Sequence, residues 1–381
     1  MKKKIIAFTV AFILIFPFGI SASAQVDVSA QSAVLMCANN GKVLFNKNGT
    51  KQLSMASTTK IMTSLIALEA AVPETEITVT HEMVAVEGTS MGLVEGDSVS
   101  LRELVYGMLL QSGNDAANTV AYVVGGSPEG FAEIMNKRAA EIGMVNTNFV
   151  TASGLDHENH YSTAYDMALL ACESIKNPEF ADICSKKSAR LTYGNPPYAR
   201  TLTNHNRLLW KYEDTVGIKT GFTKKSGRCL VSAAERNGIL LVAVTLNAPN
   251  DWSDHISMFE YGFSECEAVS VSVDAGVMKV AGGDKASVPL RLAYNPVWIK
   301  GDKCVCRVLV KPFDYAPVTS GEIVGTAQFI SGDKVVCEVP VLTDGSAAVK
   351  KAPQEEEPEG LFSYLYQKIK DFFRGEPIGR K

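Results

Sequence analysis

At 381 residues and 46% hydrophobic content, the chain has room for two ordinary domains, whose cores form without help from metals or disulfides. The formal charge is −4 and no basic tract stands out, which excludes nucleic acid as an expected partner. Eight cysteines (37, 172, 184, 229, 266, 304, 306 and 337) are scattered without a disulfide framework, and none of the five histidines stands in ligand-like spacing with them. Buried thiols acting as small hydrophobes are expected, and neither a metal nor a cofactor.

The chain opens with Lys2, Lys3 and Lys4, then an apolar run from Ile5 to Ile20 broken only by Thr9, Pro17 and Gly19. Ala22-Ser23-Ala24 follows with small residues where a signal peptidase reads, so residues 1–24 are read as a signal peptide. The run is short of the ~18–20 apolar residues that span a bilayer. An uncleaved anchor is the alternative, and either way the remainder is exported. Without residues 1–24 the chain loses three lysines and no acid, so its charge becomes −7.

Ala33 to Cys37 and Lys42 to Phe45 flank Asn39-Asn40-Gly41, a hairpin signal. From Ser57 a helical pattern runs through Ile61, Met62, Leu65, Ile66 and Leu68, apolar nearly all round and hence buried. Ser100 with Glu103 makes a capping box ahead of Leu101, Leu104, Val105, Met108 and Leu109. Ser127-Pro128 opens another helix that closes near Gly143. Leu230 to Ala234 and Ile239 to Leu246 bracket Asn237-Gly238, a second hairpin. Hairpins enclosing a block of helices predict an α/β (α+β) domain with an antiparallel sheet, not a doubly wound fold.

Near Cys266 the composition changes. Alternation at Val269, Val271 and Val273, and short runs such as Val305 to Val310 between turn residues, predict a small all-β domain. Cys304 and Cys306 are expected to face the same way in a strand. The polar stretch 352–360 reads as a linker. Beyond it Leu361, Phe362, Leu365, Ile369, Phe372 and Phe373 share one helical face, too short to span a bilayer but suited to lie in its surface. The alternative is a helix docked on its own protein.

Three motifs carry chemistry: Ser57-Thr58-Thr59-Lys60, Ser112-Gly113-Asn114 and Lys219-Thr220-Gly221. Singly, each reads as a helix cap or a turn; together and in this order they form the signature of serine acyl transfer. Serine's hydroxyl needs a base, and helical spacing puts Lys60 beside Ser57. Lysine is useless as a base at its ordinary pKa of ~10.4. Burial and a nearby cation, here Lys219, favour the neutral amine. The backbone N–H groups of Ser57 and Phe222 are expected to receive an oxyanion. Ser112 is placed to pass a proton to the leaving amine, and Asn114 to hold the substrate's amide. The Lys219 ammonium and Thr220 hydroxyl suit a free carboxylate.

With these residues the sequence resembles the low-molecular-mass penicillin-binding proteins, the serine D-Ala-D-Ala carboxypeptidase family. The resemblance covers nearly the whole chain after residue 24, and its motifs lie in Ala56 to Thr63, Gly107 to Ala117, His160 to Asp166 and Gly217 to Thr223. It implies a transpeptidase/β-lactamase-like domain at 25–265, a β-rich domain at 266–350, a linker at 351–360 and an amphipathic helix at 361–381. It also implies Ser57 as the acylated nucleophile, Lys60 as its base, Ser112 and Asn114 as the second motif, and Lys219 as the carboxylate-binding lysine. The implied substrate is a peptidoglycan stem peptide and the implied inhibitors are β-lactams. The implied site of action is the outer face of the cytoplasmic membrane, with contact through residues 361–373. Some members carry histidine where this chain has Phe222; a backbone donor survives the change, but no side-chain role transfers.

Three rival readings remain open at this level. Gly88-Thr89-Ser90-Met91-Gly92 matches an esterase elbow, which requires a strand before and a helix after; Met83 to Val86 is the candidate strand, and a loop beside the cleft is the simpler reading. A β-lactamase-like hydrolase shares the motifs but needs a second general base. A non-catalytic cell-wall scaffold is expected to lack Ser57, Lys60 or Lys219, all of which are present.

Overall fold

Five antiparallel strands organise the first part of the chain, in the spatial order Lys42–Lys47, Ser32–Cys37, Ile239–Leu246, Gly227–Arg236 and Thr215–Thr223. The computed structural model describes residues 26–70, 74–268, 273–294, 296–299, 305–331, 334–350 and 360–374. The proposed signal peptide, Val269 and Val271 of the alternating run, Cys304 and linker residues 351–359 lie outside them.

The middle strands are apolar at every position because the sheet is covered on both faces. Along Ser32–Cys37, Val34 and Met36 face a block of helices, while Ala33, Leu35 and Cys37 face a second apolar layer. The same alternation divides Val242 and Val244 from Leu241 and Ala243. Helix Asp251–Glu265 covers the second layer through Met258 and Phe259. Helices Lys60–Glu69 and Ala164–Ser174 lie on the first. Helix Lys60–Glu69 is buried from Lys60 to Leu68, as its all-round apolar pattern predicts.

Local rules hold at the expected ends. Ser100 and Glu103 close a capping box, Ser127 caps helix Pro128–Ile142, and Gly143 ends it in the left-handed region. Asn237 and Gly238 both take positive φ, 53° and 79°, as a two-residue turn between twisted strands demands. One boundary moved. The helix expected from Ser57 begins as a single 3₁₀ turn, Ala56–Thr59, and becomes α-helical only at Lys60. The expected strand at Met83 to Val86 is instead the short helix His81–Val84, which removes the context an esterase elbow requires.

Of the described residues, those up to 268 together with 296–299 form one compact unit, and the rest form a second. The second unit holds a six-stranded sheet in the order Val305–Val310, Ile323–Ser331, Lys334–Thr343, Ser287–Leu292, Val277–Ala281, Phe313–Tyr315. It is antiparallel except for its last pair. The division falls later than residue 265, because Cys266–Ala268 pairs with Val297–Ile299 and both stay with the first unit.

Candidate active site

Thr215–Thr223 is the free edge of the five-stranded sheet, and the turn Ala56–Thr59 packs against it. Two glycines permit that approach. A Cβ on Gly221 would stand 3.0–3.1 Å from the Met55 carbonyl oxygen and the backbone nitrogens of Thr58 and Ser57. Gly154 has φ +83°, and a Cβ there would lie 2.0 Å from the Ala56 carbonyl oxygen. Ala56 itself is held at φ 49°, a strained value that turns the chain so that Ser57 follows at the mouth of the cleft. Gly154→Ala is therefore expected to cost at least about 2 kcal/mol in thermal unfolding and to impair acylation of Ser57, since the Ala56 carbonyl has nowhere to go.

Around Ser57 the three motifs converge. Lys60 Nζ stands 3.0 Å from Ser57 Oγ, 2.7 Å from Asn114 Oδ1 and 2.6 Å from the Ser153 carbonyl oxygen. A neutral amine has two N–H groups and one lone pair. With the N–H groups on Asn114 and Ser153, the lone pair faces the Ser57 hydroxyl. The pKa of Lys60 is pushed well below its usual range, first by complete burial and then by the Lys219 cation, with Asp115 opposing. Asn114 thus orients the base, a task beyond the expected grip on substrate, and its Nδ2 donates to the Glu87 carbonyl at 2.6 Å. His160 braces the turn from behind. Its Nδ1 accepts from the Val150 N–H at 2.9 Å, which leaves Nε2–H to donate to Thr59 Oγ1, also at 2.9 Å.

Lys219 requires a correction. Expected to grip a substrate carboxylate, it is only 1% exposed and is not among the residues lining the cleft. Strand alternation explains this: Lys219 lies opposite Val231 on the face that meets the helices, while Thr220 turns outward to the cleft. The Lys219 Nζ donates to Ser112 Oγ at 3.0 Å and to the Thr220 carbonyl at 2.8 Å. Burial lowers its pKa to about 7. Ser112 adopts φ 60°, in the left-handed region, and with its oxygen accepting from Lys219 its own proton is free to be donated.

An oxyanion pocket follows from the backbone. Ser57 lies in the first turn of a helix, where N–H groups lack intrahelical acceptors. The Thr223 N–H turns inward to Ser226 Oγ at 3.0 Å, so alternation directs the Phe222 N–H toward the free edge. The Phe222 side chain is 66% exposed and lines a cleft of about 470 Å³ with Ser57, Ser112, Asn114 and Thr220.

Ser90 of the elbow-like motif is not a nucleophile here. Its Oγ donates to Asp115 Oδ2 at 2.5 Å, and the same carboxylate accepts from the N–H groups of Met91, Gly92 and Leu93. Asp115 thereby fixes the loop whose Gly88 and Thr89 line the cleft. The sequence reading did not single out Asp115, Ser153, His205, Arg207, Arg228, Asp251 or Trp252. Ser153 acts through its carbonyl, which leaves no side-chain signal. Arg228 had a usable one, lying nine residues after Lys219 across the turn that follows the motif.

Fold and site together define a serine acyl-transfer enzyme with a lysine base. The sequence pattern of the Peptidase S11 family, D-alanyl-D-alanine carboxypeptidase, matches residues 19–250. The chain is 30% identical to the D-alanyl-D-alanine carboxypeptidase DacF of Bacillus subtilis (strain 168), over 89% of this chain and 93% of that protein. It is 33% identical to DacC of Escherichia coli (strain K12), over 87% and 88% of the two chains. Among solved structures, the carboxypeptidase DacD of Francisella tularensis matches with a TM-score of 0.61 at 26% identity, covering 90% of this chain and 98% of that one. Penicillin-binding protein 5 of Haemophilus influenzae matches with a TM-score of 0.61 at 28% identity, covering 84% and 98%. This chain belongs to the D-alanyl-D-alanine carboxypeptidase family of serine peptidases.

Proposed function

We propose that the protein removes the terminal D-alanine from peptidoglycan stem peptides through an acyl-enzyme on Ser57, and that penicillins acylate the same oxygen. The observation that carries this reading is the Lys60 amine, 3.0 Å from Ser57 Oγ with two fixed acceptors for its own protons. The substrate lies along the free edge of Thr215–Thr223 as an added strand. Ser57 Oγ attacks the carbonyl carbon of the penultimate residue while Lys60 takes the hydroxyl proton. The N–H groups of Ser57 and Phe222 receive the oxyanion. The C–N bond then breaks, and Ser112, in contact with Lys219, delivers a proton to the departing amine of D-alanine. Water, deprotonated by Lys60, hydrolyses the ester and restores Ser57. Incubation with a pentapeptide ending in D-Ala-D-Ala is expected to release one D-alanine per peptide, and mass analysis after penicillin treatment is expected to place the adduct on the Ser57 peptide. No D-alanine release, or an adduct elsewhere, overturns the reading.

We further propose that the enzyme works at the outer membrane-facing side of the cell wall, held there by helix Leu361–Arg374. Among the described residues no helix is long and apolar enough to cross a membrane. Leu365, Ile369 and Phe372 fall at helical spacing on one side, 49%, 56% and 69% exposed, and Phe373 adjoins them. Burying these side chains in a lipid surface supplies about 1.5–3 kcal/mol for each one fully covered. With the exported chain at −7, anionic lipids do not attract the whole molecule, so the apolar stripe and the local Lys368 and Lys370 must carry the attachment. Deleting residues 361–381 from the signal-processed protein is expected to abolish co-sedimentation with liposomes and leave penicillin binding intact. Undiminished pelleting of the truncated protein rules out this anchor.

A further inference from the structure

Lys219 does not reach the cleft, so another cation must meet the carboxylate that a carboxypeptidase substrate presents. Two guanidinium groups line the cleft, Arg207 and Arg228. We propose that Arg228 is the specificity-determining residue for the terminal carboxylate of the substrate, and that Asp251 positions it. This rests on the carboxypeptidase reading above.

Strand register brings Arg228 to the right place. It pairs with Phe222, two residues beyond Thr220, so alternation sets Thr220, Phe222 and Arg228 on one face. All three line the cleft that holds Ser57. The guanidinium is anchored on one side only. Its Nε and Nη2 both donate to Asp251 Oδ1, at 3.0 and 2.7 Å. Those two bonds use two of the five donors of the fork, and Nη1 is left for a second carboxylate. The Trp252 ring, 5.3 Å from the guanidinium carbon, walls another side. Asp251 is itself fixed: its side chain is 3% exposed, against 41% for Arg228, and Oδ1 also accepts from the Trp252 N–H at 2.9 Å. A buried carboxylate holding a half-exposed arginine is the arrangement expected of a prepared anion site, because the rotamer cost is met before substrate arrives. Arg207 stands exposed, and among the described residues no ion pair braces it.

The test uses the signal-processed enzyme and two peptides, one ending in the free acid of D-Ala-D-Ala and one in its C-terminal amide. The parent is expected to favour the acid in kcat/KM by about 10–100-fold. Arg228→Gln is expected to bring that ratio within about 3-fold of unity by losing turnover of the acid alone. Asp251→Asn is expected to raise KM for the acid with little change in kcat and no change toward the amide, the mark of a positioning residue. Arg228→Gln leaves Asp251 buried without its partner. The double variant Arg228→Gln/Asp251→Asn removes both charges at constant shape, and the same loss of ratio is expected from it. Arg207→Gln is expected to keep the preference for the acid. If the double variant, folded by circular dichroism, still favours the acid 10-fold or more, Arg228 is not the carboxylate ligand. If Arg207→Gln alone erases the preference, the assignment moves to Arg207 and the proposal falls. A parent that releases no D-alanine from either peptide overturns the carboxypeptidase reading itself, a result distinct from release without acid preference.

Discussion

Ser57→Ala is expected to carry no covalent penicillin and to lose carboxypeptidase activity by on the order of 10⁴–10⁶-fold, the range seen when a serine nucleophile is removed. The effect is large because no other hydroxyl in the cleft has a base in line with it. Ser112 Oγ accepts from Lys219, and Thr220 has only its backbone carbonyl committed to that lysine. The fold should persist. Ser57 is partly exposed, and its Oγ contacts only Lys60 among the described hydrogen bonds, so deletion of the hydroxyl costs about 1 kcal/mol or less. Ser90→Ala serves as the contrast, because that serine is tied to Asp115 in a loop and should leave labelling intact. Intact-protein mass after penicillin treatment decides both variants. An adduct on Ser57→Ala would remove the nucleophile from the mechanism.

Lys60 variants should reveal the base by its pH signature as well as by rate. Lys60→Met is expected to slow acylation by about 10²–10⁴-fold, the span of general-base effects. Lys60→Arg should be as slow, because a guanidinium stays protonated throughout the accessible range and offers no lone pair. In the parent only the neutral amine acts, so acylation rises with pH along an acidic limb. Burial and the Lys219 cation lower the pKa of Lys60, which places that limb below the range of a free lysine. Removing the cation has the opposite sign: in Lys219→Met the pKa of Lys60 rises and the limb moves to higher pH. The charge on Lys219 declines near pH 7, where burial has set its own pKa, so the displacement should be clearest below neutrality. Stopped-flow acylation with a chromogenic β-lactam between pH 5 and 9 measures it. A limb in the same place for Lys60→Arg as for the parent would identify some other group as the base.

Much of the site was legible because its chemistry uses few residues at short spacings. Ser57 and Lys60 are three apart, and a helical start is enough to make them meet. Ser112 and Asn114 declare themselves by interrupting a helical pattern, and Lys219-Thr220-Gly221 by standing in an edge-like strand. The roles within the set were less legible. Asn114 was read as a grip on substrate, and the structure gives it the orientation of Lys60. Lys219 was read as a carboxylate ligand, and strand alternation buries it behind Thr220. No pattern of residue types records which face of an edge strand meets the helices, since Lys219 and Thr220 are both polar.

What the sequence determined by itself is local in origin. Caps at Ser100 and Ser127, the turn at Asn237-Gly238 and the all-apolar helix after Lys60 follow from backbone satisfaction and hydrophobic period within a few residues. The ordered motifs, being chemical, also survive as letters. Tertiary structure alone decided the long-range parts. It brought the Ser153 carbonyl to Lys60 from 93 positions away, folded Gly154 under the Ala56 carbonyl, and set the Asp251 carboxylate against Arg228 across 23 positions. Backbone atoms carry no residue identity, and a buried ion pair has no fixed spacing in the chain. Such contacts exist only once the sheet and its covering helices have closed around them, which is why the base and its acceptors became visible only in three dimensions.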